Sequence, residues 1–476
     1  MARLPSLPHD RLVPLIVATA LFMENLDATV LSTSLPAIAV DLGESPIHLK
    51  LALTSYLLAL AIFIPASGWV ADRFGARPVF CASMLVFAAG SIGCALSTGI
   101  GSLVVARVLQ GMGGALMIPV GRLVVLRSVD RRDLVNALAW LTIPALMGPI
   151  MGPPVGGFIT TYFDWRWIFW INVPIAAIGV ALALAYIPDI RETERVRFDR
   201  VGFLLVGPGL AAFLTGATLA GLDLVPVWGI VALMVAGAAL LCLYVVHALR
   251  VPDPLIDLRL LALPTFRASL AGGFVFRVGI GASPFLLPLL LQVGLGMNAF
   301  ASGLTTFAAG VGAITMKLAA APILRRFGFR RVLIVNAVLS AASVAAPALF
   351  GAGTPTLVML AVLLVGGFLR SLQFTAVSAV AYADVPTEKL SRATSFAAVL
   401  QELSGSVGVA VAAIGLELAA SALGGPLLSV SHFPVVFAVV GLIALSSAAI
   451  FWSQLPAGAG AGLVRGPAAP VKEREP

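Results

Sequence analysis

The sequence contains little charge for its length. Only 11% of the 476 residues are Asp, Glu, Lys or Arg, whereas 60% are hydrophobic and the mean hydropathy is +1.04. A soluble globular domain has about 25% charged residues, and a chain with so few could not cover its surface in water. This shortage of charge excludes a soluble enzyme and indicates a membrane protein.

Cysteine and histidine are also scarce. The three cysteines give no disulfide framework, because Cys81 and Cys94 would lie about 20 Å apart on one helix. The four histidines have no metal-ligand spacing, so we expect no metal ion and no bound cofactor. The sequence also lacks a Ser/His/Asp cluster, a Walker loop and an HExxH motif. We therefore expect no enzyme activity, and an intramembrane enzyme is the alternative from a different class.

Long apolar runs, separated by charged and turn residues, occupy most of the chain. A run of about 20 apolar residues spans a bilayer as a helix, and the short alternating strands of a membrane barrel are not seen in the sequence. The chain is therefore predicted to be an all-α membrane protein with about fourteen spans. We place these spans at 12–38, 48–71, 79–98, 101–126, 134–161, 166–187, 202–219, 226–249, 266–292, 299–324, 331–350, 355–381, 391–420 and 433–454.

Lys and Arg are distributed unequally between alternate loops. If the N-terminus is inside, the inside segments hold 23 of the 30 basic residues, the outside loops hold only Lys50 and Arg166, and five lie within spans. Excess Lys and Arg marks cytoplasmic loops, so we expect both termini to be cytoplasmic. The same asymmetry accounts for the net charge of +8 without a nucleic-acid partner.

A short sequence repeat divides the chain into two halves. "DRFGARPV" at 72–79 and "RRFGFRRV" at 325–332 share the pattern R-F-G-x-R and follow the second and tenth spans. Two six-helix halves separated by two additional helices would give this spacing, and paired halves are common in transporters. We therefore predict four domains: a six-helix bundle at 1–190, two linking transmembrane helices at 191–255, a second six-helix bundle at 256–454 and a disordered cytoplasmic tail at 455–476.

Five motifs carry a resemblance to a known family. They are "LDATVLSTSLP" (26–36), "GWVADRFGARP" (68–78), "RVLQGMGG" (107–114), "GPIMGPPVGG" (148–157) and "DWRWIFWINVP" (164–174). In this order they resemble the signatures of the major facilitator superfamily, and in particular its fourteen-span drug:proton antiporter branch with its bacterial multidrug exporters. The resemblance implies the major facilitator fold, with two pseudo-symmetric bundles around a central cavity.

The resemblance assigns gating roles to two segments. The residues concerned are Asp72, Arg73, Gly75 and Arg77 in the loop after the second span, and Gly148, Gly152, Pro153, Gly156 and Gly157 in the fifth span. Glycines repeated every four residues make a smooth helix face for close approach. The chain departs from the family pattern at Ser32, where that branch often has Asn, and at Arg325, where Asp is expected. We therefore expect a weaker or different contact at the second copy of the loop.

Nine ionisable residues fall within the predicted spans: Glu24, Asp27, Arg107, Arg122, Arg277, Lys317, Arg370, Glu402 and Glu417. Charged residues at bilayer depth are costly, usually face a cavity and often mark functional sites. Arg122, Lys317 and Glu417 lie nearer helix ends, where long side chains can reach the membrane surface. We expect direct roles mainly for the deeper residues.

Glu24 and Asp27 are three residues apart and share one face of the first helix. Arg107 and Gln110 share a face of the fourth helix, and both helices line the cavity in the superfamily, so an Asp27–Arg107 pair is expected. Burial disfavours a charged carboxylate and a guanidinium favours it, which could leave the group titratable. We expect Asp27 first, and then Glu24 and Glu402, to couple protons to transport. The alternative is a static Asp27–Arg107 ion pair that holds the two helices together.

The substrate cavity is predicted to be lined by Arg107, Gln110, Arg277 and Arg370. If Asp27 pairs with Arg107, the two arginines of the second half have no acidic partner except Glu402. A guanidinium fits carboxylate and phosphate groups, so anionic or zwitterionic amphiphiles are expected to bind at least as readily as lipophilic cations.

The sequence thus predicts a proton-coupled antiporter that exports small amphiphilic molecules, as in multidrug efflux, by alternating access. The alternative is a transporter of a specific small organic anion, by uptake or efflux. We expect the protein to be a monomer of the bacterial inner membrane, with the proton as coupling ion. Its expected partners are a small-molecule substrate and the lipid bilayer.

Overall fold

The structure is a computed structural model that describes residues 9–129, 134–188, 198–219, 225–386 and 389–460. The predicted boundary at 190 and the predicted tail beyond residue 460 lie outside these ranges. The division into domains at the predicted boundaries therefore stays a prediction.

Fourteen long helices follow one another along the chain, each within a few residues of a predicted span. They are α1 His9–Leu42, α2 Lys50–Phe74, α3 Ala76–Ala95, α4 Ile100–Ser128, α5 Leu134–Tyr162, α6 Trp167–Tyr186, α7 Arg200–Leu219, α8 Val227–Arg250, α9 Pro264–Gly294, α10 Ala299–Phe327, α11 Phe329–Leu349, α12 Thr356–Ala381, α13 Leu390–Leu423 and α14 Phe433–Gln454. By length and composition, thirteen of them could cross a membrane in the part that the structure describes, and α5 is a further apolar helix of 29 residues. The all-α membrane architecture is confirmed.

Several helices change geometry at proline or glycine. α2 passes through a 3₁₀ turn at Ile64–Ala66, which contains Pro65. α9 ends in a π-helical segment at Leu289–Gly294. The tight connections after α2 and α10 each use a glycine with positive φ, 94° at Gly75 and 74° at Gly328. Glycine adopts this conformation without the steric cost of a side chain. The two copies of the repeated loop therefore have the same type of backbone turn.

The two additional helices lie beside α2. α7 and α8 pack against each other, with Gly237 directly against the backbone of Phe213. α7 also contacts α2, where the rings of Phe203 and Phe63 are 6.0 Å apart. The pair thus lies outside the first bundle at α2, and it also packs against the second half, where α7 contacts α13.

The two halves contact each other strongly at the end of the bundle where α1 finishes and α2 begins. Here the Gln292 side chain on α9 donates to the carbonyl oxygen of Thr33 on α1 at 2.8 Å. The backbone N–H of Phe300 on α10 donates to Thr161 on α5 at 3.0 Å. A large buried apolar cluster includes residues of both halves at this end, among them Leu35 of α1. These contacts close this end of the space between the halves.

Candidate transport site

A buried polar network surrounds Asp27 in the first half. One carboxylate oxygen accepts from Arg107 Nη1 at 2.6 Å, and the other accepts from Gln110 Nε2 at 2.8 Å and from Asn172 Nδ2 at 2.9 Å. Ser91 on α3 accepts from Asn172 at 2.9 Å and donates to a backbone carbonyl of α6. The predicted Asp27–Arg107 pair is confirmed, and it belongs to a network that joins α1, α3, α4 and α6.

Arg107 also holds α2 in this network. Its Nε donates to the carbonyl oxygen of Ala52 at 3.2 Å, and its guanidinium lies 4.2 Å from the centre of the Tyr56 ring. Asp27 and Arg107 are 3% and 0% exposed. A buried ion pair survives at this depth when further hydrogen bonds satisfy its remaining atoms. Asp27 meets that condition, because both of its oxygens have partners.

Glu24 lies one helical turn away from Asp27 and has a different environment. The residue is 5% exposed, and its Oε2 has no hydrogen-bond partner among the residues that the structure describes. The Tyr56 hydroxyl is likewise buried without a partner in the described part. Both groups lie beside Gly114 of α4, which leaves space where a side chain would otherwise stand. Glu24 is therefore a buried carboxyl group whose polar atoms are not all satisfied.

Glu402 and Arg277 lie across the interface from Glu24. Glu402, on α13, is within electrostatic range of both Glu24 and Arg277. The Arg277 guanidinium, on α9, lies 5.5 Å from the centre of the Phe374 ring on α12. Carboxyl groups from the two halves are thus brought towards each other in the space between the bundles.

Arg370 on α12 has few partners. Its Nε donates to the carbonyl oxygen of Gly366, one turn earlier on the same helix, at 3.2 Å. The neighbouring Gln373 faces α11 instead, where it donates to Leu333 at 3.0 Å and accepts from Asn336 at 2.9 Å. The four residues predicted to line the cavity therefore fall into two groups. Arg107 and Gln110 belong to a closed network, whereas Arg370 lies on α12 and Arg277 contacts α12 from α9.

The ionisable residues nearer helix ends have other partners. Glu417 accepts from Lys50 at 3.4 Å, across the contact between α13 and α2. Lys317 on α10 donates to Thr375 on α12 at 3.4 Å and is exposed. Arg122 is exposed and lies within electrostatic range of Glu24. Lys317 and Arg122 thus add positive charge close to the deeper residues.

The glycines of α5 face two different helices. Gly148, Gly152 and Gly156, four residues apart, lie directly against α1 at Phe22, Thr29 and Val30. Gly157 lies on another side of α5, against the backbone of Ala299 on α10. Pro153 takes part in the same contact, where its carbonyl oxygen lies against Gly303 of α10. The motif therefore packs α5 within its own half on one face and against the other half on the second.

The loop after α2 connects three helices of the first half. Asp72 accepts from Arg127 of α4 at 2.9 Å, and Arg77 donates to the carbonyl oxygen of Ile187 at the end of α6 at 3.1 Å. Arg73 is exposed. In the second copy Arg330 repeats the contact of Arg77 by donating to the carbonyl oxygen of Trp452 at 2.8 Å.

The ion pair of the first loop is not repeated in the second. Arg325 occupies the position of Asp72 and makes no ion pair within the described ranges. A basic side chain cannot accept from another arginine. The expected difference between the two loops is therefore present.

Sequence reasoning missed the uncharged members of the polar networks. Asn172 contacts Asp27 and Tyr56 contacts Arg107. Ser91 bonds to Asn172 and Gln110, and Asn336 bonds to Gln373 in the second half. Asn172 lies in the sixth-span motif that carried part of the family resemblance, which was the one available signal.

The fold and this arrangement of buried charges define a membrane transporter, and the chain belongs to the major facilitator superfamily, whose family model matches residues 17–409. The chain is 39% identical over 407 residues to "Putative multidrug resistance protein MdtD" of Salmonella paratyphi B, covering 85% of this chain and 86% of that protein. The protein of the same name from Salmonella typhimurium is also 39% identical, over 408 residues. The predicted superfamily is confirmed.

Solved structures share the fold at low sequence identity. A D-xylose–proton symporter superposes with a TM-score of 0.67 at 15% identity, covering 94% of this chain and 98% of that one. A variant of the nucleoside transporter NupG superposes with a TM-score of 0.64 at 15% identity, covering 94% and 100%. The predicted fold class is confirmed, and the protein is a multi-pass membrane transporter for a small molecule rather than an enzyme.

Proposed function

We propose that the protein is a proton-coupled antiporter that exports small amphiphilic molecules by alternating access. The name of the Salmonella relatives, at 39% identity over most of the chain, supports a multidrug substrate range. The motifs that resemble the drug:proton antiporter branch of the superfamily, the α5 motif among them, support exchange rather than uptake.

The observation that carries proton coupling is the environment of Glu24. This carboxyl group is buried, has an oxygen without a partner in the described part, and lies within electrostatic range of Glu402 from the other half. Two negative charges in a low-dielectric space repel each other strongly, so protonation of either group favours conformations that bring the halves together. For antiport, the proton would be taken up from the outer side and released to the cytoplasm, in exchange for cargo that moves outwards. Asp27, which has partners for both oxygens, is better suited to hold the helices in place, and its predicted role in coupling stays a prediction.

We further propose that the protein lies in the bacterial inner membrane as a monomer with both termini in the cytoplasm. An even number of spans puts both termini on one side, and the distribution of Lys and Arg favours the cytoplasmic side. The contacts between the halves at Thr33 and Phe300 would then lie on the outer side. The space around Glu24 would open towards the cytoplasm, where cargo for export is collected.

The test is a proton-flux assay with purified protein in liposomes that contain a pH-sensitive dye. Addition of a substrate, found by a growth-inhibition panel, should cause proton movement in the wild type, and Glu24→Gln should abolish this movement while substrate still binds. Glu44→Gln, which changes an acid in the loop after α1 that pairs with His48, is the matched control and should retain coupling. If Glu24→Gln couples protons as the wild type does, Glu24 is not the proton carrier. If the wild type moves substrate without protons, the antiport proposal is wrong.

A further inference from the structure

The two halves differ in charge although α4 and α12 carry the same local motif. Arg107 and Gln110 on α4 have the spacing of Arg370 and Gln373 on α12. In the first half, α1 supplies Asp27 as the partner of Arg107. The corresponding first helix of the second half, α9, has no acidic residue between Pro264 and Gly294. The second half therefore keeps the arginine and lacks the carboxylate.

Arg370 has donors that the protein does not use. One N–H bonds to Gly366 of its own helix, and the two terminal nitrogens have no hydrogen-bond partner among the residues described. Arg370 is partly exposed, so these nitrogens are open to the space beside α12. A guanidinium in the middle of a transmembrane helix is costly unless an anion or water meets its donors.

Two further basic side chains reach the same stretch of α12. Arg277 lies over Phe374, one turn after Arg370, and Lys317 donates to Thr375. The six helices α9–α14 contain only two acidic residues, of which Glu417 pairs with Lys50 and Glu402 lies near Arg277. Arg277 thus lies on the face of α12 that carries Arg370, whereas Lys317 contacts α12 about 140° round from that face. Glu402 is the carboxyl group of these helices that lies near Arg277.

An apolar surface adjoins these charges. Phe374 follows Arg370 by four residues and therefore lies on the same face of α12. The Phe276 ring packs edge-on against Phe374, with 5.9 Å between the ring centres. A ligand that places an anionic group at Arg370 could therefore lay its ring system against Phe374.

We propose that Arg370, assisted by Arg277, binds the carboxylate or sulfonate group of an amphiphilic cargo, and that Phe374 packs against the apolar part. A guanidinium can donate two parallel hydrogen bonds to such a group, which gives both strength and orientation. Exchange of a bound anion for protonation of Glu402 would then be coupled through Arg277. This inference rests on the proposed transport function, since it names the class of cargo.

The test compares two dyes with one ring system and opposite charge, the anion fluorescein and the cation rhodamine 6G. Fluorescence anisotropy with the purified full chain in a neutral detergent gives the affinity for each dye. Arg370→Gln should weaken fluorescein binding about tenfold or more, because charge-assisted hydrogen bonds are lost, and should change rhodamine binding little. Arg326→Gln removes the same charge from an exposed position at the end of α10 and should change neither affinity.

Two additional variants keep the experiment decisive. Arg370→Lys keeps the charge but loses the two parallel donors, so it should bind fluorescein with an affinity between those of the wild type and Arg370→Gln, with an unchanged melting temperature. Phe374→Leu should weaken the binding of both dyes. Equal losses for both dyes in Arg370→Gln, or no loss for fluorescein, would overturn the proposal. A lipid could also occupy the site. If phosphatidylglycerol displaces fluorescein and the protein does not transport the dye in liposomes, the bound group is a lipid head group and the proposal is overturned.

The outcome is separable from that of the coupling test, because dye binding in detergent needs no proton gradient. Arg370-dependent fluorescein binding without substrate-driven proton flux would support the anion subsite and contradict antiport. Proton flux with rhodamine 6G and no fluorescein binding would support antiport and contradict the subsite.

Discussion

Arg107 and Arg370 lie at equivalent positions of α4 and α12, three residues before a glutamine, but only Arg107 is joined to a carboxylate, at 2.6 Å from Asp27. The first arginine is enclosed and contributes to the cohesion of its half, whereas the second is partly exposed and bonds to a carbonyl group of its own helix. The same sequence pattern on α4 and α12 therefore stands in two different environments, which differ by one acidic partner.

Replacement of Asp27 by Asn should destabilise the protein. The substitution leaves the buried Arg107 without its counter-ion, and removing one member of a buried pair costs about 3–5 kcal/mol. We expect a lower melting temperature in detergent and less folded protein in the membrane, measured by fluorescence-detected size-exclusion chromatography after heating. The double variant Asp27→Asn with Arg107→Gln should recover part of the loss, since no unpaired charge remains. Full stability of Asp27→Asn combined with lost proton coupling would instead make Asp27 the proton carrier.

Replacement of Asp72 by Asn should affect transport more than stability. The Asp72–Arg127 pair is partly exposed, and such pairs contribute about 0–1 kcal/mol. We expect a slower transport rate in liposomes, with the substrate affinity little changed, because the pair fixes the end of α2 against α4 on the side opposite the contacts at Thr33. Glu44→Gln removes one member of a partly exposed pair at the other end of the bundle and serves as the control. A changed affinity with an unchanged rate would place Asp72 in the binding site instead.

The two faces of α5 should respond differently to an added methyl group. In Gly157→Ala the new Cβ would meet the backbone of Ala299 on α10, so it should hinder contact between the halves without disturbing the first half. In Gly148→Ala the Cβ would lie 2.8 Å from the carbonyl oxygen of Phe22 on α1, so it should lower the stability of the first half itself.

Labelling of a cysteine near this contact distinguishes the two effects of substitution in α5. With Phe163→Cys as the reporter, Gly157→Ala should increase its reaction with a water-soluble thiol reagent and leave the melting temperature nearly unchanged. Gly148→Ala should lower the melting temperature. An identical response of the two variants would show that the two faces of α5 are not functionally distinct.

The orientation in the membrane can be tested by single cysteines in a chain without its three native cysteines. Gly353→Cys, in the loop between α11 and α12, should react with an impermeant thiol reagent in whole cells. Arg195→Cys and Gly466→Cys, which lie outside the described residues, should resist the reagent until the membrane is opened. Labelling of Gly466→Cys in intact cells would disprove a cytoplasmic C-terminus.

The sequence alone predicted the features that depend on the composition of a single segment. Each of the fourteen helices could be located because a bilayer requires a long apolar run, and charged residues inside such runs are too costly to be incidental. The Asp27–Arg107 pair was expected because the first and fourth helices both line the cavity in the superfamily that the motifs resemble. Sequence reasoning could not identify Asn172, Ser91 or Tyr56, because single uncharged polar residues are common in apolar helices. Whether such a residue joins a polar network depends on how the neighbouring helices are rotated towards it.

The sequence also could not rank Glu24 against Asp27. The two residues share a helix face and a chemical type, and they differ only in which helices approach them. Gln110 and Asn172 reach Asp27, whereas Gly114 leaves space near Glu24. This difference arises from packing across four helices, which no periodicity within one helix encodes.

The contact between α5 and α10 has a consequence for how fast the protein can change shape. Gly157 and Gly303 place backbone against backbone, and the carbonyl groups they touch belong to Ala299 and Pro153, which lie within α10 and α5. Carbonyl groups within an α-helix bond to N–H groups of their own helix. Separation of the two surfaces breaks the hydrogen bond from Phe300 to Thr161 but leaves the helix hydrogen bonds of these carbonyl groups intact, so they need no new partner in an apolar medium. A surface of this kind can part and re-form with a low activation barrier, so the turnover rate is expected to be set by the exchange of ligands at the charged centre.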